Sequence, residues 1–407
     1  MIGSISGQIK AKAALVDPSR YGRSDTSAVG RWFWEIDKVL LLLIATLIGI
    51  GLIAVAAASP AAGQRYSGGS VRFSELHYFY RQIVWIGVGI PVMIAISMMP
   101  RERAKRISLA GAAFFLVLLA FVPILGPEVN GATRWLDIGI GQLQPSEFLK
   151  PFFVVAMAWL LSLREQDKTL PVFWLSAAVT GVVAVLLMKQ PDFGSTIIFA
   201  SVWLAMLALA GVNMRILVGL GVAGLVGIIL AYFFYDVATT RIDGFLFGEG
   251  DNFQVENAMR TLTAGGLFGM GPGAGTRKFG LPEPHTDYIF SVIGEEFGLI
   301  ACLVIAVLYL TIVARVLIKL LDEESSFAIL AAAGLAIEFG LQAMINMLVN
   351  VQLAPSKGMT LPFISYGGSS MLALSIGMGL LLAFTRRNPY LTRSPYVVKW
   401  SGESVTA

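Results

Sequence analysis

The residues of this chain best equipped for chemistry gather in four connections between apolar stretches. They read NGATRWLDIGIGQLQPSEFLK (130–150), KQPDFGS (189–195), GGLFGMGPGAGTRKFGLPEPHTD (265–287) and LAPSKGMTLPFISYGGSS (353–370). Each sets cations and carboxylates among glycines and prolines. Irregular backbone beside a membrane is tolerated where it is buried in protein or lines a wet cavity, so four such segments point to one polar site. Gly273, Gly275, Arg277 and Lys278 could form a nest of backbone amides for a phosphate, with a plain turn as the alternative. His285-Thr286-Asp287 resembles a run of metal ligands, but the chain has only two histidines and His77 is far away in sequence, which argues against zinc.

Further polar residues stand inside apolar runs, where they are costly and usually face a cavity or a partner. Glu338, Gln342, Asn346 and Asn350 recur every fourth residue and so share one helix face. They read either as hydrogen bonds between helices or as the wall of a polar cavity. Glu295 and Glu296 are neighbouring carboxylates about 12 Å along a helix starting near Asp287. They need partners, for which Arg134, Lys150 and Lys189 are candidates. Glu147 and Lys150, three apart, can pair on a helix; a buried ion pair and direct substrate contact both fit them.

The elements that must position these residues are membrane helices. The 407 residues are 56% hydrophobic and 14% charged, and mean hydropathy is +0.74; soluble domains carry roughly a quarter charged residues. Runs long enough to cross a bilayer, about 20 residues, occupy 38–59, 82–100, 107–126, 146–163, 170–189, 193–212, 216–235, 288–314, 327–350 and 369–385. The expected fold is therefore all-α: an integral membrane domain of about ten helices over 38–386, with tails at 1–37 and 387–407. One long connection, 236–286, carries a short amphipathic helix near 253–263. No signal peptide is legible in residues 1–30, and the single cysteine, Cys302, precludes an internal disulfide. Lys and Arg concentrate at 101–106, 164–168, 215 and 315–319 and in both tails. The positive-inside rule makes that side cytoplasmic and turns 236–286 outward. On this reading the net charge of +4 reflects topology and not nucleic-acid binding.

In order and spacing, the four connections resemble the SEDS family of bacterial membrane proteins (shape, elongation, division and sporulation), over roughly residues 35–388. The most specific stretches are LPEPHTDYIF with GEEFG, and KGMTLPFISYGGSS. Lys357 to Pro362 and the long basic N-terminal tail are most similar to the cell-division branch. Two small departures are Ser195, where threonine is usual, and Ala354-Pro355-Ser356.

The resemblance implies a peptidoglycan glycosyltransferase that polymerises lipid II into glycan strands on the outer face of the bacterial cytoplasmic membrane, at the division septum. It implies Asp287 as the general base that deprotonates the acceptor hydroxyl; an N-terminal helix cap is the alternative role. Arg134, Lys150 and Lys278 are then expected at the pyrophosphate, and Glu283 and Glu147 to orient the site or hold a metal. Lys189, Asp192, His285, Lys357 and Ser369 complete the expected substrate contacts. A divalent cation, Mg²⁺ or Mn²⁺, is expected to neutralise the leaving group. The implied partners are a class B penicillin-binding protein that crosslinks the product, and other divisome membrane proteins. A lipid II flippase and a non-catalytic divisome scaffold remain the competing functions.

Overall fold

A computed structural model describes residues 27–67, 72–128, 132–137, 139, 142–247, 253–355 and 358–386. Lys357 and most of both expected tails lie outside the described residues. The chain divides into two units, Lys38–Thr385 and the flanking segments up to Asp37 and from Arg386. The flanking unit contains a helix that the sequence reading had placed in a tail: α1 (Ala28–Glu35), whose first turn is capped by Ser27 Oγ accepting from Gly30 N at 3.0 Å. Its last residue, Glu35, pairs with Arg386 at 3.2 Å.

In the larger unit, α2 (Lys38–Tyr66), α3 (His77–Ser97), α4 (Arg101–Leu125) and α5 (Pro145–Gln166) are each long and apolar enough to cross a membrane. So are α8 (Met214–Phe234), α11 (Ile289–Leu320), α12 (Ser326–Asn350) and α13 (Gly368–Thr385). Two shorter apolar helices, α6 (Val172–Met188) and α7 (Phe193–Leu209), have 17 residues each, about 26 Å at 1.5 Å per residue. These are the ten expected spans, with shifted ends. α2 runs on through Pro60 to Tyr66, and His77, expected in a connection, opens α3.

α5, α12 and α13 form the interior. α5 packs against α4, α6, α7, α12 and α13, while α12 packs against α5, α7, α11 and α13. Their approach is close: a Cβ at Gly334 would lie 2.6 Å from Val154 Cγ1. At the other extreme, α8 beyond Arg215 is apolar on every side, and Leu217 is its one buried residue. A helix hydrophobic all round and unburied by protein belongs in lipid.

The long connection holds more structure than its glycines suggested. α9 (Asp236–Leu246) follows α8, and α10 (Phe253–Ala264) matches the amphipathic helix expected near 253–263. The connection between α4 and α5 carries one further feature absent from the sequence reading, a two-residue ladder pairing β1 (Leu136–Asp137) with β2 (Gln142–Leu143).

α11 is broken at Gly298, whose φ of 84° and ψ of 172° leave the helical region. The glycine-rich segment 265–271 enters the break. Met270 N donates to Glu295 O at 2.9 Å and Gly271 N to Glu296 O at 3.0 Å, while Leu299 N donates to Gly266 O at 3.0 Å. Backbone groups freed by the break are thereby satisfied by protein, the condition for irregular chain at membrane depth. Only glycine suits the positive φ at Gly298.

Candidate active site

Asp287 lies two residues before the half-helix that opens α11, and its backbone is fixed from three directions. Asn346 Nδ2 and Asn350 Nδ2, both on α12, donate to its carbonyl at 2.9 and 3.0 Å. Ser365 Oγ donates to the carbonyl of Thr286 at 2.6 Å, and Tyr366 N to that of His285 at 2.9 Å. The side chain meets bare backbone at Gly358, where a Cβ would sit 3.3 Å from Asp287 Oδ2. Gly358 has φ +61°, a second reason for glycine there. Asp287, Tyr288, Asn346, Val349, Gly358 and Met359 line a shared hollow.

The capping alternative for Asp287 finds no support in these contacts. Tyr288 takes the N-cap position without a side-chain cap bond, and Ser291 N instead donates to Asn350 Oδ1 at 3.1 Å. The carboxyl of Asp287 is pushed up to about 7, first by withdrawal from solvent, then by Glu283; Glu147 adds to the rise, while Arg134 and Arg241 oppose it. Glu283 is held in the left-handed region (φ 55°) and accepts from Thr286 Oγ1 at 2.7 Å.

Arg134 and Arg241 form the cationic side of the site. Arg134 Nη2 donates to the carbonyl of Pro191 at 2.6 Å. Arg241 comes from α9 and was not singled out in the sequence, where it read as one residue of a turn-rich connection. Three bonds fix α9: Tyr235 hydroxyl to Met188 O at 2.9 Å, Tyr232 hydroxyl to Asp243 Oδ1 at 2.8 Å, and Thr239 Oγ1 to Tyr232 O. The available signal was a lone Arg in DVATTRIDGFL with no acid three or four residues before it for a helical pair.

Several expected substrate contacts have other work. Lys278, only 1% exposed, is paired with Glu296 at 2.5 Å and donates to Ala57 O at 2.9 Å. The nest at 273–278 closes on the protein's own acids: Gly273 N donates to Glu296 Oε2, and Arg277 N and Lys278 N to Glu295 at 2.6 and 2.9 Å. The partners proposed for these acids, Arg134, Lys150 and Lys189, are thus replaced by residues of the adjoining loop. Lys150 is buried between Glu147 (2.5 Å) and Gln342 Oε1 (3.0 Å), the buried ion-pair reading of that motif. Lys189 is exposed at the C-terminal end of α6.

Asp192 caps α7, accepting from Ser195 N at 3.1 Å and Ser195 Oγ at 2.7 Å. Ser369 Oγ donates to Gln142 O at 2.7 Å and anchors the β-ladder. His285 is buried, with its ring 4.1 Å from that of Tyr78 and 5.3 Å from that of Tyr366. Burial lowers its imidazole to about 3, so it stays neutral. Three residues on the regular face of α12 act as hydrogen-bond glue: besides the Asn contacts, Gln342 Nε2 donates to Thr360 O at 3.1 Å; the fourth, Glu338, lines a hollow with Glu147 and Gln342. Among the described residues no three acids, histidines or cysteines are grouped to hold a metal ion. A cation caged by protein therefore does not fit the described donor set, whereas one carried by a substrate diphosphate needs no such cage.

Comparison with known proteins agrees with this architecture. The family model described as "Cell cycle protein", covering FtsW, RodA and SpoVE, matches residues 38–390. A probable peptidoglycan glycosyltransferase FtsW of Caulobacter vibrioides is 37% identical over 375 residues, covering 91% of this chain and 94% of that protein. Its counterpart in Alkalilimnicola ehrlichii is 35% identical, covering 90% and 94%. Among solved structures, a chain from a peptidoglycan synthase complex that coordinates polymerization and crosslinking superposes with TM-score 0.69 at 27% identity, covering 86% of this chain and 97% of that one. The rod shape determining protein RodA of Thermus thermophilus superposes with TM-score 0.63 at 27% identity, covering 86% and 96%. Matched along nearly its whole membrane domain, this chain belongs to the cell cycle protein family of FtsW, RodA and SpoVE, the multi-pass SEDS membrane proteins.

Proposed function

We propose that this protein is a peptidoglycan glycosyltransferase that polymerises lipid II on the outer face of the cytoplasmic membrane during cell division. The observation that carries the reading is Asp287. Its carboxyl sits at about 7, where a base can both be deprotonated and bind a proton effectively near neutral pH. The name shared by the FtsW relatives supports the reaction type.

In this reaction the acceptor sugar hydroxyl gives its proton to the Asp287 carboxylate. Its oxygen bonds to the anomeric carbon of the donor, the carbon–oxygen bond to the pyrophosphate breaks, and the electron pair departs with the prenyl pyrophosphate. Asn346 and Asn350 hold the Asp287 backbone in place, and Glu283 helps to keep its carboxyl basic enough to act. A divalent cation, Mg²⁺ or Mn²⁺, would come with the substrate and neutralise charge on the pyrophosphate. The Lys and Arg asymmetry supports cytoplasmic termini and an outward-facing connection over residues 236–286. The likeness to a chain from a polymerizing and crosslinking complex supports a class B penicillin-binding protein as partner, at the septum with other divisome proteins.

The test is polymerisation of purified lipid II by this protein together with its cognate transpeptidase. Glycan strands should form with wild-type protein and not with Asp287→Asn. Equal product from both would remove Asp287 from the chemistry.

A further inference from the structure

Arg134 and Arg241 come from connections about a hundred residues apart, yet the charge of Arg134 reaches Arg241 and both reach Asp287. Burial and then the charge of Arg134 press the Arg241 guanidinium down; Asp192, Tyr235 and Tyr288 oppose this. Asp192, the one carboxylate acting on Arg241, is engaged by Ser195 through both oxygens, and its single charge cannot balance two guanidiniums. The guanidiniums also keep unused donors. Arg134 Nε and Arg241 Nη1 are buried and make no hydrogen bond among the described residues.

Burying a donor without a partner is unfavourable, and burying two like charges together adds repulsion. The fold nevertheless holds both groups firmly: Pro191 O grips Arg134, and Tyr232, Tyr235 and Thr239 fix the helix that carries Arg241. An anion with several oxygens would satisfy the donors and cancel the repulsion together. Guanidinium forks match phosphate oxygens two at a time, which a lysine ammonium cannot do.

We infer that Arg134 and Arg241 together form the receptor for the diphosphate of the prenyl-linked sugar donor, with Arg241 a substrate-binding residue. This deepens the transferase reading and rests on it. The pair stabilises the negative charge that grows on the bridging oxygen as the anomeric bond breaks. Because both cations also lower the Asp287 carboxyl, they couple occupancy of the leaving-group site to the strength of the base. The charged groups acting on Asp287 are Glu283, Arg134, Arg241 and Glu147.

The experiment uses the full chain in detergent, with farnesyl diphosphate, farnesyl monophosphate and farnesol as probes of thermal stability. The expected result is a rise in melting temperature with the diphosphate, a smaller one with the monophosphate and none with the alcohol. Arg241→Gln should abolish the diphosphate shift, and Arg241→Lys should keep only part of it. In lipid II polymerisation with the transpeptidase, Arg241→Gln should lower kcat/KM on the order of 10²-fold and move the acid limb of the pH profile upward. A structural role would lower folded yield without a selective loss of diphosphate response. Should Arg241→Gln fail to fold, Arg241→Lys and Arg134→Gln decide the matter. An undiminished diphosphate shift in the folded variants overturns the inference. A wild-type chain that binds the diphosphate through this pair but makes no glycan would leave the site standing and remove the transferase reading instead.

Discussion

Asn346, on the membrane helix α12, donates through Nδ2 to the backbone carbonyl of Asp287 at 2.9 Å. The residue proposed as the base is thus located by the bundle interior and not by its own loop alone. Asn346 also donates to Met359 O at 2.5 Å, so one amide ties the 280s connection to the 350s connection. Their relative position sets the hollow in which Asp287 meets Gly358.

Asp287→Asn keeps the size of the side chain and disturbs no capping bond. It should accumulate at wild-type levels and lose polymerisation by on the order of 10²–10⁴-fold, the usual contribution of a general base. Western blotting of membranes alongside lipid II turnover checks both halves. Turnover within a few-fold of wild type would shift attention to Glu283 or Glu147.

The pH profile follows from the sign of the shift. The Asp287 carboxyl is raised to about 7, chiefly by withdrawal from solvent, and only its deprotonated form can take the acceptor's proton. Initial rates should therefore climb with pH and level off above about 7, falling about tenfold for each unit below it. A profile flat down to about pH 5 would contradict the assignment.

Asn350 links more groups than Asn346. Its Oδ1 accepts from Ser291 N and Ser291 Oγ, and its Nδ2 donates to Asp287 O and Asn346 O. Asn350→Ala should destabilise the protein by about 1–3 kcal/mol, the range for leaving buried polar groups unpaired. Thermal unfolding in detergent measures it, and Asn350→Asp offers a control that keeps the acceptor but loses the donor.

Lys278 should behave as a folding residue. Removing one member of a buried ion pair costs about 3–5 kcal/mol, whereas replacing both with apolar groups of similar volume is often neutral. Lys278→Ala should sharply reduce folded protein, and Lys278→Met with Glu296→Leu should recover much of it. A Lys278→Ala protein of normal yield with a raised KM for lipid II would instead return this lysine to the substrate.

Chelation should stop polymerisation, and Mg²⁺ or Mn²⁺ should restore it, because the leaving diphosphate brings more negative charge than two arginines neutralise. The cation requirement should persist in Arg241→Lys. Full activity in excess chelator would mean that the arginines suffice.

The spans were legible because a charge-free run such as 39–59 has one physical destination, and composition reveals it without tertiary detail. Asp287, its connection and the repeated polar face of α12 stood out for a similar reason: polar groups among apolar ones are few. What sequence reading missed is non-local. Nothing within 273–278 announces that Glu295 and Glu296 will fill the nest, since the pairing depends on the loop entering α11 at Gly298. That break was hidden because a single glycine in an apolar run reads as tolerated helix. Arg241 was missed because its meaning lies in its neighbour Arg134, which only the fold supplies.

The Lys278–Glu296 pair has a consequence for genetics. A screen that scores survival on this face of the protein will return Lys278, Glu296 and Asp287 as equally indispensable, and a map drawn from it will inflate the catalytic centre with residues that merely hold the loop shut. Intragenic suppressors divide the two classes. Losses at 278 or 296 can be repaired by compensating changes at the partner or by globally stabilising substitutions, whereas a loss at 287, the proposed base, should have no second-site remedy, because stability cannot restore a missing proton acceptor.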